Sequence, residues 1–205
     1  MIRRAAVAAA LFASLSTAPV RADESPRAIV QQVTDQALAV LADKSTDAAE
    51  KRRRLEQITY AHVDFETLSR LVLGQNWNRF SDAQKQAFVE EFKRHLSMTY
   101  GRNIESYHNE KVAIVGERDE PRGDHTVQTK ILRGGGADDI AVDYRLRQTN
   151  GRWQIIDFVI ENISLVANFR SQFQEMLASG TPDGLIKTLH ERNERGEPLK
   201  APKAS

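Results

Sequence analysis

The segment from Ile140 to Phe173 constrains the fold more than any other part of the chain. Asn150 and Gly151 stand between two runs of alternating residues, and both residue types tolerate the positive φ angles of a type I′ turn. The sequence therefore predicts two antiparallel strands joined by a two-residue turn. The turn sets the register, and the facing pairs that we expect are Leu146 with Ile155, Tyr144 with Asp157, and Val142 with Val159.

One face of this hairpin carries large apolar side chains, because side chains alternate between the two faces of a strand. These residues are Ile140, Val142, Tyr144, Leu146, Trp153, Ile155 and Val159. After Ser164 the apolar spacing becomes that of a helix, with Leu165, Phe169 and Phe173 on one stripe. We therefore expect a helix to lie back across the sheet.

The rest of the chain predicts two further strands and several more helices. Alternating runs that begin at Lys111 and His125 indicate strands upstream of the hairpin. Capping residues followed by apolar residues at helical spacing indicate helix starts after Ser25, Asp47, Asp64 and Ser81, and Pro182 begins a last helix. The helix from Asp82 to Tyr107 would be about 39 Å long at 1.5 Å per residue. This pattern predicts an α+β domain with a four-stranded antiparallel meander.

Residues 1–22 have the layout of a secretory signal peptide. Arg3 and Arg4 precede an apolar run, and Val20-Arg21-Ala22 provides a cleavage site with small residues. The apolar run has about 14 residues, fewer than the ~20 that a membrane-spanning helix needs. We expect an exported chain with a single domain at 23–190 and a polar C-terminal tail at 191–205.

Charge and cysteine content exclude several classes of protein. Removing residues 1–22 takes away three arginines and no acid, so the net charge changes from +1 to −2, which disfavours a nucleic-acid partner. The chain has no cysteine, so disulfides and a lipid-modified N-terminal cysteine are excluded. The basic run Lys51 to Arg54 is typical of a solvated helix face, with an acidic partner or anionic lipid head groups as the alternative.

Catalytic chemistry has little support in the residues. The five histidines show no metal-ligand spacing, and neither a G-x-S-x-G serine nor a cofactor motif is present. One constellation admits two interpretations: Asp157 facing Tyr144, with His95 and Tyr100 nearby from the long helix. Asp157 is either a general base with Tyr144 as hydrogen-bond donor, or a buried carboxylate that its neighbours satisfy.

The apolar residues also admit two interpretations. A curved sheet and a long helix either enclose an apolar cavity or pack together into a continuous core. Periodicity alone does not separate these two arrangements.

Six segments in order along the chain carry a resemblance to a known family. They are DFETLSRLVLGQNW from Asp64, SDAQKQAFVEEF from Ser81, MTY at 98–100, VDYRL at 142–146, GRWQIIDFVIENISLV from Gly151, and NFRSQF at 168–173. The chain from Ile29 to Leu189 thereby resembles the MlaC-type periplasmic phospholipid-binding proteins, also called toluene-tolerance auxiliary components. It departs from the family at Asn162, where Gly is usual, and at Phe169, where Tyr is common. Asn tolerates the left-handed region, so we expect the turn at Asn162 to survive.

The resemblance implies an NTF2-like α+β fold in which about four curved antiparallel strands and several helices enclose a pocket for acyl chains. It also implies a periplasmic carrier that moves lipid between an inner-membrane ABC transporter with an MCE-domain component and an outer-membrane lipoprotein complex. Both a phospholipid and a hopanoid are candidate cargoes. The alternative function is that of an NTF2-like isomerase or hydratase that uses Asp157 and Tyr144. The expected pocket residues are Leu68, Val72, Leu96, Tyr100, Ile104, Val142, Tyr144, Trp153, Ile155, Phe169 and Phe173.

Overall fold

The computed structural model describes residues 24–101 and 109–199. This part of the chain forms six α-helices and a five-stranded antiparallel sheet, which confirms the predicted α+β class. The helices are α1 (Pro26–Ala42), α2 (Ala48–His62), α3 (Phe65–Leu73), α4 (Asp82–Tyr100), α5 (Leu165–Ser179) and α6 (Pro182–Arg195). The strands are β1 (Lys111–Asp119), β2 (His125–Leu132), β3 (Ile140–Thr149), β4 (Arg152–Ile160) and β5 (Ile163–Ser164).

Local capping places the helix starts where the sequence predicts them. Ser25, Asp47, Asp64 and Ser81 each accept a hydrogen bond from the backbone N–H three residues later. At α4 the contact is reciprocal, because the Gln84 side chain also accepts from the Ser81 N–H at 2.9 Å. Such caps satisfy donors that have no partner inside the helix.

Two predictions fall on residues outside the described ranges. These are the signal peptide at 1–22 and the last six residues of the long helix, since 102–108 are not described. Helix α4 ends at Tyr100, where the N–H of Gly101 donates to the Ser97 carbonyl. No helix within the described ranges is both long and apolar enough to cross a membrane.

The sheet is a meander in which each strand pairs with the next, in the order β1 to β5. Asn150 and Gly151 have φ angles of 52° and 75°, which confirms the predicted turn between β3 and β4. The two-residue strand β5 adds a fifth strand that the alternating pattern does not predict. It follows a second tight turn, in which Asn162 has φ 64°, the left-handed conformation that the sequence led us to expect.

The predicted register of the hairpin is wrong beyond its first pair. Leu146 faces Ile155 as predicted, but a β-bulge then shifts the partners. The observed pairs are Arg145 with Asp157, Tyr144 with Phe158, Asp143 with Val159 and Val142 with Ile160. Ile156 is the extra residue, and every later side chain of β4 therefore changes face. Asp157 does not face Tyr144, and Val159 leaves the predicted apolar face while Phe158 and Ile160 join it.

Four phenylalanines join α4 to α5 at the centre of the core. Phe88 and Phe92 of α4 form three ring contacts with Phe169 and Phe173 of α5, with ring centroids 5.0 to 5.4 Å apart. These three pairs meet edge to face, an arrangement that contributes about 0.5–1.5 kcal/mol per pair beyond area burial. The packed core thus lies between these two helices and the sheet.

The structure corrects the predicted C-terminal tail. Helix α6 continues to Arg195, and the side chain of Leu199 is only 6% exposed. The buried His95 fixes this segment, because its Nδ1 lies 2.8 Å from Asn193 Oδ1 and its Nε2 accepts the Leu199 N–H at 3.1 Å. Burial lowers the pKa of His95, which keeps the imidazole neutral and able to accept at Nε2. Residues 191–199 therefore belong to the folded domain, and 200–205 lie outside the described ranges.

We expect Leu199→Ala to lower the free energy of unfolding by about 2 kcal/mol, because it removes buried methyl groups from the core. Leu132→Ala is the matched control, since Leu132 is 37% exposed. Urea unfolding of both variants measures the difference. Equal effects of the two substitutions would show that Leu199 does not pack in solution.

Candidate functional site

A cavity of about 280 Å³ lies between helices α2, α3 and α4 and the end of β4. Its volume is near the lower end of the roughly 300–1,000 Å³ that is usual for ligand pockets. The apolar lining residues are Leu55, Val63, Phe65, Leu68, Leu96, Tyr100, Phe158, Ile160 and Leu165. The polar ones are Arg52, Glu56, Thr59 and Ser97, with Gly101 completing the wall. An apolar wall with a few polar groups is suited to an apolar or amphipathic ligand rather than to a polar substrate.

Helix α2 forms the outer wall of the cavity with a single stripe of side chains. Its lining residues recur at helical spacing and are Arg52, Leu55, Glu56 and Thr59. No side chain of α2 is buried. The helix is held to α4 through Tyr60, whose hydroxyl lies 2.8 Å from Ser97 Oγ and whose ring lies under Lys93 Nζ at 4.0 Å.

The inner end of the cavity is fixed by the junction between α2 and α3. Val63 forms a β-bridge with Ile155, and the Asp64 N–H donates to the Ile155 carbonyl at 2.9 Å. The Asp64 side chain then caps α3 through the Thr67 N–H at 2.8 Å. These backbone contacts hold Val63 and Leu68 against the sheet, so the inner wall is the rigid one.

Three of the predicted pocket residues line this cavity: Leu68, Leu96 and Tyr100. Ile104 lies outside the described residues. Seven others lie elsewhere: Val72, Ile155, Phe169 and Phe173 in the packed core, and Val142, Tyr144 and Trp153 on the sheet. The structure thus contains both a packed core and a cavity. The sequence pattern did not show which apolar residues belong to the core and which line the cavity.

Sequence reasoning missed the whole α2 wall and the end of β4. Helix α2 has few apolar residues, so its pattern indicated a solvated helix, although the spacing of Leu55, Thr59 and Val63 was a usable signal. Phe158 and Ile160 reach the cavity only because of the β-bulge, for which the sequence has no marker.

Burial raises the pKa of Tyr144 and Tyr100. The Tyr144 hydroxyl is enclosed by the protein and its pKa is raised to about 12. The Tyr144 ring does not line the cavity but packs edge to face on Phe158, which does, with ring centroids 5.5 Å apart. Burial also raises the pKa of Tyr100, which lines the cavity directly. Both shifts indicate a dry environment that disfavours a phenolate.

Asp157 is fully buried but does not line the cavity. Its carboxylate accepts hydrogen bonds from Ser164 Oγ at 2.6 Å and from the Val166 N–H at 3.0 Å, and Arg145 Nη1 lies 3.9 Å away. Burial raises the pKa of Asp157, and the hydrogen bonds from Ser164 and Val166 partly oppose that shift. Since Ser164 caps α5, Asp157 fastens the start of α5 to β4. This geometry is that of a structural carboxylate.

The described residues contain no group of three or more histidines and carboxylates placed to hold a metal ion. Three further histidines are hydrogen-bonded to other residues of the protein. His125 contacts Asp119, His190 contacts Glu91, and His62 contacts the Ile58 carbonyl.

A family model described as MlaC protein matches residues 31–191 of the chain. Two curated relatives are similar over most of their length. The toluene tolerance protein Ttg2D of Pseudomonas putida is 26% identical over 173 residues, covering 82% of this chain and 80% of the relative. The intermembrane phospholipid transport system binding protein MlaC of Haemophilus influenzae is 23% identical over 190 residues, covering 88% of each chain.

A solved structure shares the fold. It is a phospholipid-binding protein from Ralstonia solanacearum in complex with a phospholipid, with a TM-score of 0.73 and 24% sequence identity. The match covers 82% of this chain and 97% of that one. The arrangement of helices and sheet described above is therefore an established fold.

Asp157→Ala should lower the free energy of unfolding by about 1–3 kcal/mol, because it leaves the buried Val166 N–H without an acceptor. Asp157→Asn should cost less, since its amide oxygen can still accept from Val166. Asp119→Ala is the control, because the Asp119 side chain is almost fully exposed. Chemical denaturation of the three variants ranks them, and a loss for Asp119→Ala as large as for Asp157→Ala would contradict this assignment.

The pH dependence of stability provides a second test of Asp157. A carboxyl whose pKa is raised on folding binds its proton more tightly in the folded state, so its contribution to stability falls as pH rises from about 4 through the folded pKa. The unfolding free energy of the wild type minus that of Asp157→Asn should therefore decrease over this range. Denaturation curves collected from pH 4 to pH 8 measure the difference, and a pH-independent difference would refute the raised pKa.

Proposed function

Since the chain belongs to the MlaC protein family, we propose that it is a lipid carrier that binds the acyl chains of a phospholipid in the cavity beside α2. The observation that carries the proposal is the cavity wall itself, which is apolar at the sheet and bears charge only on α2. Similar proteins named for phospholipid binding or transport support it. The proposal assigns no catalytic residue, no cofactor and no metal.

Burial of the acyl chains supplies the affinity in this proposal. Each buried methylene contributes about 0.8 kcal/mol relative to water, so a chain of about 15 methylenes contributes roughly 12 kcal/mol. The same chains are equally dry in a bilayer, so exchange between membrane and protein is close to balanced. Direction must then come from the partners that load and unload the carrier.

Helix α2 is the wall that can yield to a larger ligand. A phospholipid has two acyl chains, and a cavity of about 280 Å³ is small for both. Because no side chain of α2 is fully buried, moving this helix outward disturbs less packing than moving the side of the cavity that adjoins the core would. The inner wall, bonded through Val63 and Asp64 to the sheet, stays in place.

The setting that we propose is the periplasm of a Gram-negative envelope, reached by cleavage of the signal peptide at 1–22. The partners are an inner-membrane ABC transporter with its MCE-domain component and an outer-membrane lipoprotein complex. A carrier between two membranes must shield the acyl chains from water while it diffuses, and this is the role that we propose for the cavity. Family membership supports these partners.

Mass spectrometry of protein purified from a Gram-negative periplasm tests the cargo. We expect co-purified diacyl phospholipid, and competition with a hopanoid should leave the phospholipid bound, because flexible chains adapt to a narrow cavity better than a rigid ring system does. Protein that is free of lipid under native conditions would refute the carrier function. Displacement of the phospholipid by the hopanoid would identify the hopanoid as the preferred cargo.

Ile160→Arg should reduce the lipid bound by at least about tenfold, because a guanidinium in a dry cavity cannot be solvated. Ile131→Arg is the matched control: it is also a half-buried strand isoleucine, but it does not line the cavity. Lipid content per folded protein is measured by mass spectrometry, and circular dichroism checks folding. Retention of lipid by folded Ile160→Arg would place the ligand elsewhere.

A further inference from the structure

Arg52 and Glu56 are the two charged side chains among the described residues that line the cavity. They are four residues apart on α2, so they lie one turn apart on the same helix face, with about 5–6 Å between their Cβ atoms. Arg52 is exposed, whereas Glu56 is half-buried, nearer the apolar wall. The outer end of the cavity therefore presents a cation and an anion side by side.

The neighbouring basic residues of α2 already have partners. Lys51 Nζ donates to the Leu41 carbonyl at 2.6 Å, and Arg53 and Arg54 both bind Glu50 at 2.6 to 2.8 Å. Among the described residues, Arg52 forms no ion pair within 4 Å and its stem lies beside Gly101. Of the four basic residues at 51–54, Arg52 alone lines the cavity, and its guanidinium is in no ion pair with the residues that the structure describes.

Arg52 and Glu56 do not pair with each other, although both are on one face. The described ion pairs of α2 join Arg53 and Arg54 to Glu50, and Arg54 to Asp43. A cation that precedes an anion by four residues is the less favourable order on a helix, which is consistent with their separation. A ligand that offers both charges can therefore bind these side chains without breaking an existing ion pair.

We propose that Arg52 binds the phosphate and Glu56 the ammonium group of a zwitterionic aminophospholipid whose acyl chains occupy the cavity. This inference rests on the proposed carrier function. A guanidinium matches a phosphodiester because it donates two parallel, charge-assisted hydrogen bonds. A carboxylate one helical turn away is the complement of a primary ammonium, and it repels an anionic head group that has no such cation.

The path along α2 accommodates such a lipid. From Arg52 to Val63 the lining stripe covers eleven residues, or about 16 Å at 1.5 Å per residue. Arg52 and Glu56 lie in the first part of this stripe, Thr59 in the middle, and the apolar Val63 at the inner end. A bound lipid is thereby oriented with its phosphate at Arg52, its ethanolamine folded back one helical turn to Glu56, and its chain ends toward Val63.

Lipid uptake from mixed vesicles tests the inference. Delipidated protein is incubated with vesicles of equimolar phosphatidylethanolamine and phosphatidylglycerol, and the lipid taken up is identified by mass spectrometry. We expect the wild type to prefer phosphatidylethanolamine. Arg52→Gln should reduce the uptake of both lipids about tenfold, through loss of a charge-assisted contact to phosphate. Glu56→Gln should keep the total uptake and shift the ratio toward phosphatidylglycerol by about tenfold.

Arg53→Gln and Glu66→Gln are the matched controls, because both residues are exposed and neither lines the cavity. Variants of Arg52 and Glu56 that match these controls in both amount and ratio would overturn the inference while leaving the carrier function intact. No uptake by the wild type would instead overturn the carrier function. Inorganic phosphate at millimolar concentration should not displace the lipid. Displacement would show that Arg52 binds free phosphate rather than the phosphate of the lipid.

Discussion

The β-bulge at Ile156 is the constraint on which the site depends. By inserting one residue opposite the Leu146 to Arg145 step, it turns Phe158 and Ile160 toward the cavity. The same shift separates Asp157 from Tyr144 and leaves it hydrogen-bonded to Ser164 and Val166 at the start of α5. One extra residue therefore determines both the apolar wall and the anchor of the helix that follows it. Without the bulge, Asp157 would point to the apolar face.

The two sides of the cavity differ in how strongly they are held. The sheet side is fixed by backbone hydrogen bonds at Asp64, by the capped start of α5 and by the phenylalanine cluster behind it. The α2 side, which also packs on α1, has no buried side chain and contacts α4 through Tyr60, which meets Ser97 and Lys93. A rigid apolar wall facing a displaceable charged one suits a ligand that enters with its chains first and keeps its head group near water.

Buried polar groups in this protein serve mainly to fix chain segments. His95 and Asn193 fasten the segment after α6, and Asp157 fastens the start of α5, each through hydrogen bonds between residues that do not line the cavity. Burial of a polar group is costly unless it is paired, so such groups specify one arrangement of the chain rather than add net stability. Arg52 and Glu56, the two charged side chains among the described residues that line the cavity, form no ion pair with another described residue.

The sequence alone determined those features of the structure that depend on residues close together in the chain. Caps at Ser25, Asp47, Asp64 and Ser81 and the Asn150-Gly151 turn are local signals, so the helix starts and the turn of the hairpin were predicted correctly. The β-bulge, the burial of Leu199 and the division of apolar residues between core and cavity were decided only by the tertiary structure. Each depends on contacts between residues far apart in the chain, where several packings satisfy the same hydrophobic pattern and only three-dimensional fit selects one.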